Sequence, residues 1–96
     1  MLRLAETAHA VLTDDGGVFL DERTGRWTQM TPTASAAVQL LLATDSPQEA
    51  AQRYAERYRI PPERAWADVT EVANRLAARG LTAGEEIPPR RFLGRR

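Results

Sequence analysis

The chain has 96 residues, 43% hydrophobic and 27% charged, which is enough for one domain that buries roughly 60–65% of its unfolded surface and too little for a second. Its formal charge is zero, but residues 1–83 hold 9 Arg against 11 Asp and Glu while residues 84–96 hold 4 Arg against 2 Glu; a nucleic-acid binder draws its affinity from phosphate neutralisation, and this mildly acidic body lacks the cationic excess that requires. The absence of cysteine excludes disulfides, thiolate catalysis and Cys-ligated metal centres, and with no apolar run near the length of a membrane span or signal peptide the expected location is the cytoplasm, away from membranes.

Three short β-favourable runs come first: Ala10-Val11-Leu12-Thr13, Val18-Phe19-Leu20 and Trp27-Thr28-Gln29-Met30. Asp14-Asp15-Gly16-Gly17 supplies the first turn and Arg23-Thr24-Gly25 the second, so the reading is a three-stranded antiparallel meander. A three-residue second loop with Gly25 left-handed pairs Glu22 with Arg26, Leu20 with Thr28 and Val18 with Met30. That register puts Val18, Leu20, Thr28 and Met30 on the core face and Phe19, Asp21, Trp27 and Gln29 on the outer face.

The periodicity then becomes helical. Thr31-Pro32-Thr33 combines a hydroxyl cap with a proline and starts a helix that runs to about Ala43. Its apolar residues, Ala37, Val38, Leu40, Leu41 and Leu42, cover most of its circumference, as expected for a central position. Asp45-Ser46-Pro47-Gln48-Glu49 repeats the cap signal for a second helix to Tyr58, ended by Ile60-Pro61-Pro62. The third helix starts near Pro62 or Glu63 and stops at Arg79-Gly80-Leu81, where glycine suits a left-handed cap. On it Ala65, Trp66, Val69, Val72, Ala73, Leu76 and Ala77 span about 140°, wider than one helical contact needs. The expected fold is α+β, in the order β-β-β-α-α-α and of winged-helix character, over residues 1–83; residues 84–96 read as a basic, flexible tail.

Candidate chemistry is sparse. His9 is the single histidine and lies in a strand with no carboxylate at metal-ligand spacing, so it reads as a surface residue. Ser35 and Ser46 sit at helix starts without a nucleophile-elbow context. Asp14-Asp15 and Glu85-Glu86 are sequence neighbours and cannot bracket a scissile bond. No Lys accompanies Gly16-Gly17 to form a phosphate loop. The expectation is therefore no catalytic residue, no metal and no cofactor. What remains is a surface: the third strand, Arg26 to Met30, is an edge without proline or bulge, able to accept an extended peptide as a further strand.

The run Val18-Phe19-Leu20-Asp21-Glu22-Arg23-Thr24-Gly25-Arg26-Trp27-Thr28-Gln29-Met30-Thr31-Pro32-Thr33 resembles the hairpin and helix-start signature of PqqD-like domains, the recognition elements for ribosomally made, modified peptides. Ala67-Asp68-Val69 through Leu76, closing on Arg79-Gly80-Leu81, is similar to the family's later pattern, and the two stretches span about residues 10–82. Leu20-Asp21-Glu22-Arg23-Thr24-Gly25-Arg26 with Gln29-Met30-Thr31-Pro32-Thr33 most resembles the stand-alone leader-binding proteins of lasso-peptide biosynthesis.

The resemblance implies a non-catalytic domain that holds a precursor's leader as an added strand beside strand three, in a groove closed by helix three. The implied partners are that leader, a separate cysteine-protease leader peptidase and a cyclase. The implied site residues are Arg26, Trp27, Thr28, Gln29, Met30, Val69, Val72, Ala73, Arg75 and Leu76. Thr28 stands where lasso relatives often carry an aromatic and Ala73 where the broader family commonly has Leu, so both are expected to widen the groove. Two alternatives stay open: a PqqD-type chaperone for a quinone-cofactor precursor, and a DNA-binding winged helix, against which the third helix sets three Arg and three acids from Glu63 to Arg79.

Overall fold

A computed structural model describes residues 2–83; Met1 and the basic segment 84–96 lie outside the described residues. The order is β1 (Arg3–Leu4), β2 (Ala8–Thr13), β3 (Gly16–Asp21), β4 (Arg26–Met30), α1 (Pro32–Ala43), α2 (Pro47–Tyr58), α3 (Pro62–Ala78) and β5 (Thr82–Ala83). Strands β2, β3 and β4 form the expected antiparallel meander. A second, two-stranded sheet joins β1 to β5, with Arg3 opposite Ala83 and Leu4 opposite Thr82. That pair has no sequence period, being too short to show one, and it was not expected.

The first hairpin turns on Asp14-Asp15 alone, with Thr13 paired to Gly16. The Thr13 hydroxyl donates to the Gly16 carbonyl at 2.9 Å and accepts from the Asp15 amide at 3.2 Å. Both glycines of the expected turn thus belong to β3. Gly16 is held at φ 130°, and a Cβ there would lie 2.8 Å from the Met30 carbonyl oxygen, so no side chain fits.

The second hairpin corrects the expected register. Asp21, not Glu22, pairs with Arg26, and the loop is the four residues Glu22-Arg23-Thr24-Gly25. Asp21 is the cause: its carbonyl accepts from the amides of Thr24 (3.2 Å) and Gly25 (2.7 Å), and its carboxylate accepts from the Arg23 amide (3.0 Å). One added loop residue reverses the face of β3 relative to β4. Phe19 and Asp21 therefore share the inner face with Thr28 and Met30, while Val18 and Leu20 join Trp27 and Gln29 outside. Phe19 is fully buried, at 0% exposure.

The three helices begin and end where the caps predict. The hydroxyls of Thr31 and Ser46 accept from the amides of Ala34 and Glu49, with Pro32 and Pro47 next in line. Arg59 closes α2 in the left-handed region at φ 56°, before the prolines. Gly80, at φ 73°, closes α3; the Leu81 amide returns to the Leu76 carbonyl at 3.0 Å and Leu81 is buried, completing a Schellman cap.

Two apolar clusters meet along α3. One lies among the helices and includes Leu41, Tyr54, Trp66, Val69 and Ala73; the other lies under the sheet and comprises Ala8, Phe19, Val38, Leu76 and Leu81. Val72, half-buried, packs against both. Ser35 is fully buried at the start of α1 and donates to the Thr13 carbonyl at 2.9 Å, pinning α1 to the first hairpin. Phe19→Ala is expected to cost about 3–5 kcal/mol in urea unfolding, whereas Val18→Ala on the outer face is expected to cost under about 1.5 kcal/mol. The three-residue loop register requires the opposite ranking.

Candidate functional site

Strand β4 pairs with β3 on one side only, so among the described residues its other backbone edge is unpaired. Its inner-face side chains are Arg26, Thr28 and Met30. Facing them, α3 presents Val72, Arg75, Leu76 and, just past its last turn, Arg79; the two walls enclose a groove of about 120 Å³ whose end is closed by Thr31 and Ala34 of the α1 start. A second cavity of about 280 Å³ continues it toward the β3–β4 loop, lined by Asp21, Arg23, Thr24, Arg26 and Leu81. Thr28 and Arg79 line both cavities, and the Arg79 Nη1 donates to the Thr28 hydroxyl at 3.0 Å. This clasp lies between an end that holds Met30, Val72 and Leu76 and an end that holds Asp21, Arg23 and Arg26.

Of the residues expected at the site, Thr28, Gln29, Met30, Val72, Arg75 and Leu76 line the groove, and Arg26 lines its continuation. Trp27 lies on the opposite face of the sheet, 64% exposed, where Val11 is also exposed. Val69 and Ala73 are buried in the interhelical cluster. Ala73 therefore packs among the helices rather than at the groove, while Thr28 lines the groove. The unusual width of the α3 stripe has the same origin: one edge meets α1 and α2, the other meets the groove. Arg79 was missed, although it follows Val72 and Arg75 at helical spacing.

Hydrogen bonding fixes the loop end of the trough. Arg23 grips the Asp21 carboxylate through Nε at 3.2 Å and Nη2 at 3.0 Å, and Asp21 is buried at the inner face. The Arg23 side-chain hydrogen bonds hold the Asp21 carboxyl below the usual carboxylate range, and Asp21 in turn raises the Arg23 guanidinium. The same guanidinium lies on Gly80, where a Cβ would come within 2.7 Å of Nη2. The β3–β4 loop is thus latched onto the C-terminal cap of α3.

The other candidates have structural work. His9 is exposed and 3.5 Å from Glu22, Asp14 meets Arg57 at 3.4 Å, and Ser46 caps α2. Among the described residues no group of three His, Cys, Asp or Glu side chains is placed to hold a metal ion, and no helix is long and apolar enough to cross a membrane. Glu85 and Glu86 lie outside the described residues.

These features define a small winged-helix-like α+β domain whose sheet edge opens onto a groove walled by its third helix. Residues 16–81 match the family model of coenzyme PQQ synthesis protein D (PqqD), and the chain belongs to the PqqD family. Among solved structures, a lasso peptide synthetase B1 complexed with the leader peptide matches with a TM-score of 0.77 and 31% identity, covering 86% of this chain and 98% of that one. TbiB1 in complex with the TbiA(beta) leader peptide matches with the same TM-score, 0.77, at 20% identity, over 86% of this chain and 96% of that one, a likeness of fold. No curated protein matches the chain.

Because the folded Asp21 carboxyl titrates below its unfolded value, its stabilising contribution is complete above about pH 4 and is lost as pH falls through the folded value. Wild-type protein is therefore expected to lose stability more steeply than Asp21→Asn as pH falls below about 4 in urea titrations. Parallel acid limbs for the two proteins contradict the Asp21–Arg23 pairing.

Proposed function

We propose that the domain holds the leader segment of a ribosomally made precursor peptide of the lasso class as a strand added to β4, with alternate leader side chains entering the groove beside α3. The observation that carries this reading is the unpaired β4 edge lying along a groove lined by Met30, Val72 and Leu76. The similarity to a lasso peptide synthetase B1 solved with a leader peptide supports the same ligand class. The domain acts in the cytoplasm as a non-catalytic carrier that presents the bound precursor to a separate cysteine-protease leader peptidase, a cyclase acting afterwards.

The division of labour follows from the chemistry of strand addition. Main-chain bonds are available to every peptide, so discrimination rests on the inward side chains. Burying one leader Leu or Tyr contributes on the order of 1.5–3 kcal/mol, whereas a contact at the rim with Arg75, already paired to Glu71 at 2.9 Å, contributes about 1 kcal/mol or less. Ordering a flexible leader opposes binding, which keeps a large interface releasable after processing.

Phosphate-backbone binding by α3 is disfavoured: Arg64 and Arg75 each face an acid of the same helix, Asp68 and Glu71. The chaperone role toward a quinone-cofactor precursor uses the same groove and is favoured by the family match at residues 16–81. Calorimetric titration with the synthetic leader of the precursor encoded beside this chain tests the reading. Saturable binding is expected, abolished by Val72→Asp and weakened by less than about fivefold in Arg75→Ala. Val72 is the suitable site because it is half-buried, whereas Leu76 belongs to the core at 1% exposure. Absence of binding at high micromolar leader, or equal losses in both folded variants, overturns it.

A further inference from the structure

The two ends of the trough carry different sets of cations. Four arginines line it: Arg75 and Arg79 at the Met30 end, Arg23, Arg26 and again Arg79 at the loop end. Arg75 is paired with Glu71, and Arg23 with Asp21, the one carboxylate lining the 280 Å³ cavity. Asp21 stands directly across the strands from Arg26 but is gripped by Arg23, so neither Arg26 nor Arg79 forms an ion pair among the described residues, and both border that cavity. The Arg79 guanidinium is held in place by the Thr28 hydroxyl, 3.0 Å from Nη1, with its remaining donors uncommitted among the described residues.

In the open domain, water satisfies these two cations. A peptide strand laid along β4 removes part of that water. A neutral or apolar side chain arriving at Arg26 then leaves desolvated guanidinium groups unpaired, a loss that grows with burial. A carboxylate arriving there replaces the lost water with charge-assisted hydrogen bonds, in the planar geometry that guanidinium groups favour.

We infer that the Arg26–Arg79 end of the trough is a carboxylate subsite that selects peptides carrying an Asp or Glu at the inward position opposite Arg26. This rests on strand addition at β4 and deepens it. The pleat fixes the spacing: Arg26 and Met30 are inward positions four residues apart on β4, with Thr28 between them. A strand paired to that edge brings its own inward residues at the same interval. The recognised segment therefore carries an apolar residue opposite Met30 and an acidic one four positions away, whichever direction it runs.

The test uses the full chain and the synthetic leader of the precursor encoded beside it, with each leader Asp and Glu changed singly to its amide. One substitution is expected to weaken binding about tenfold, equivalent to about 1.4 kcal/mol. The same substitution is expected to have little effect in Arg26→Gln/Arg79→Gln protein, which already binds the native leader about tenfold more weakly. Thr28→Val removes the clasp hydrogen bond and keeps both cations; it is expected to retain the acid preference, separating charge reading from a purely structural role of Arg79. Native leader that binds wild-type protein normally while every amide variant and the double Arg variant stay within about twofold overturns the subsite and leaves the groove standing. Failure of the native leader to bind removes the strand-addition reading, and the subsite with it.

Discussion

The Asp21 carboxylate governs more of this domain than any other single group. By gathering the Arg23 amide and guanidinium, with its carbonyl holding Thr24 and Gly25, it makes the β3–β4 loop four residues long. That length sets the register, and the register turns Phe19 inward as the sheet's largest fully buried side chain. Through Arg23 resting on Gly80, the same carboxylate ties the loop to the end of α3. The aspartate also has its own justification energetically: a buried carboxylate is costly unless paired and hydrogen-bonded, and here it is both.

Helices were legible because their boundaries are local chemistry. Thr31-Pro32 and Ser46-Pro47 cap their helices with the residues that carry the signal, and Gly80 closes the third by the conformation only glycine adopts freely. Strand faces were not legible, because alternation in Val18-Phe19-Leu20 is absent: all three are apolar, and either parity satisfies a pattern argument. The choice was made by hydrogen bonds of Asp21 that composition does not reveal. The β1–β5 pair escaped for a related reason, since Arg3–Leu4 and Thr82–Ala83 are joined only by chain closure. At the site, the groove residues on β4 and the outer edge of the α3 stripe were readable from the edge position and helical period. Val69 and Ala73 were assigned to it because a wide stripe does not announce where core ends and groove begins.

Helix α3 carries two contacts at once, and Val72 marks the boundary. It packs with the interhelical cluster and with the sheet cluster while still lining the groove. A domain this small has little apolar surface to spare, and α3 uses one flank for the core, through Val69, Ala73 and Leu76, while its margin at Val72 lines the groove. Preorganised walls reduce the ordering that association must overcome.

The size of the chain also decides what kind of recognition is open to it. The groove beside Met30, at about 120 Å³, is of the order of a single large side chain. Depth cannot supply selectivity here. An open strand edge can supply affinity, because its main-chain donors and acceptors need no cavity volume. Selectivity then has to come from a few inward positions that differ in chemistry, and the clasp between Thr28 and Arg79 separates two such positions along one strand. An extended, mostly flexible peptide suits this arrangement better than a folded surface: only an extended chain can satisfy the β4 backbone and deliver side chains at the interval the pleat imposes.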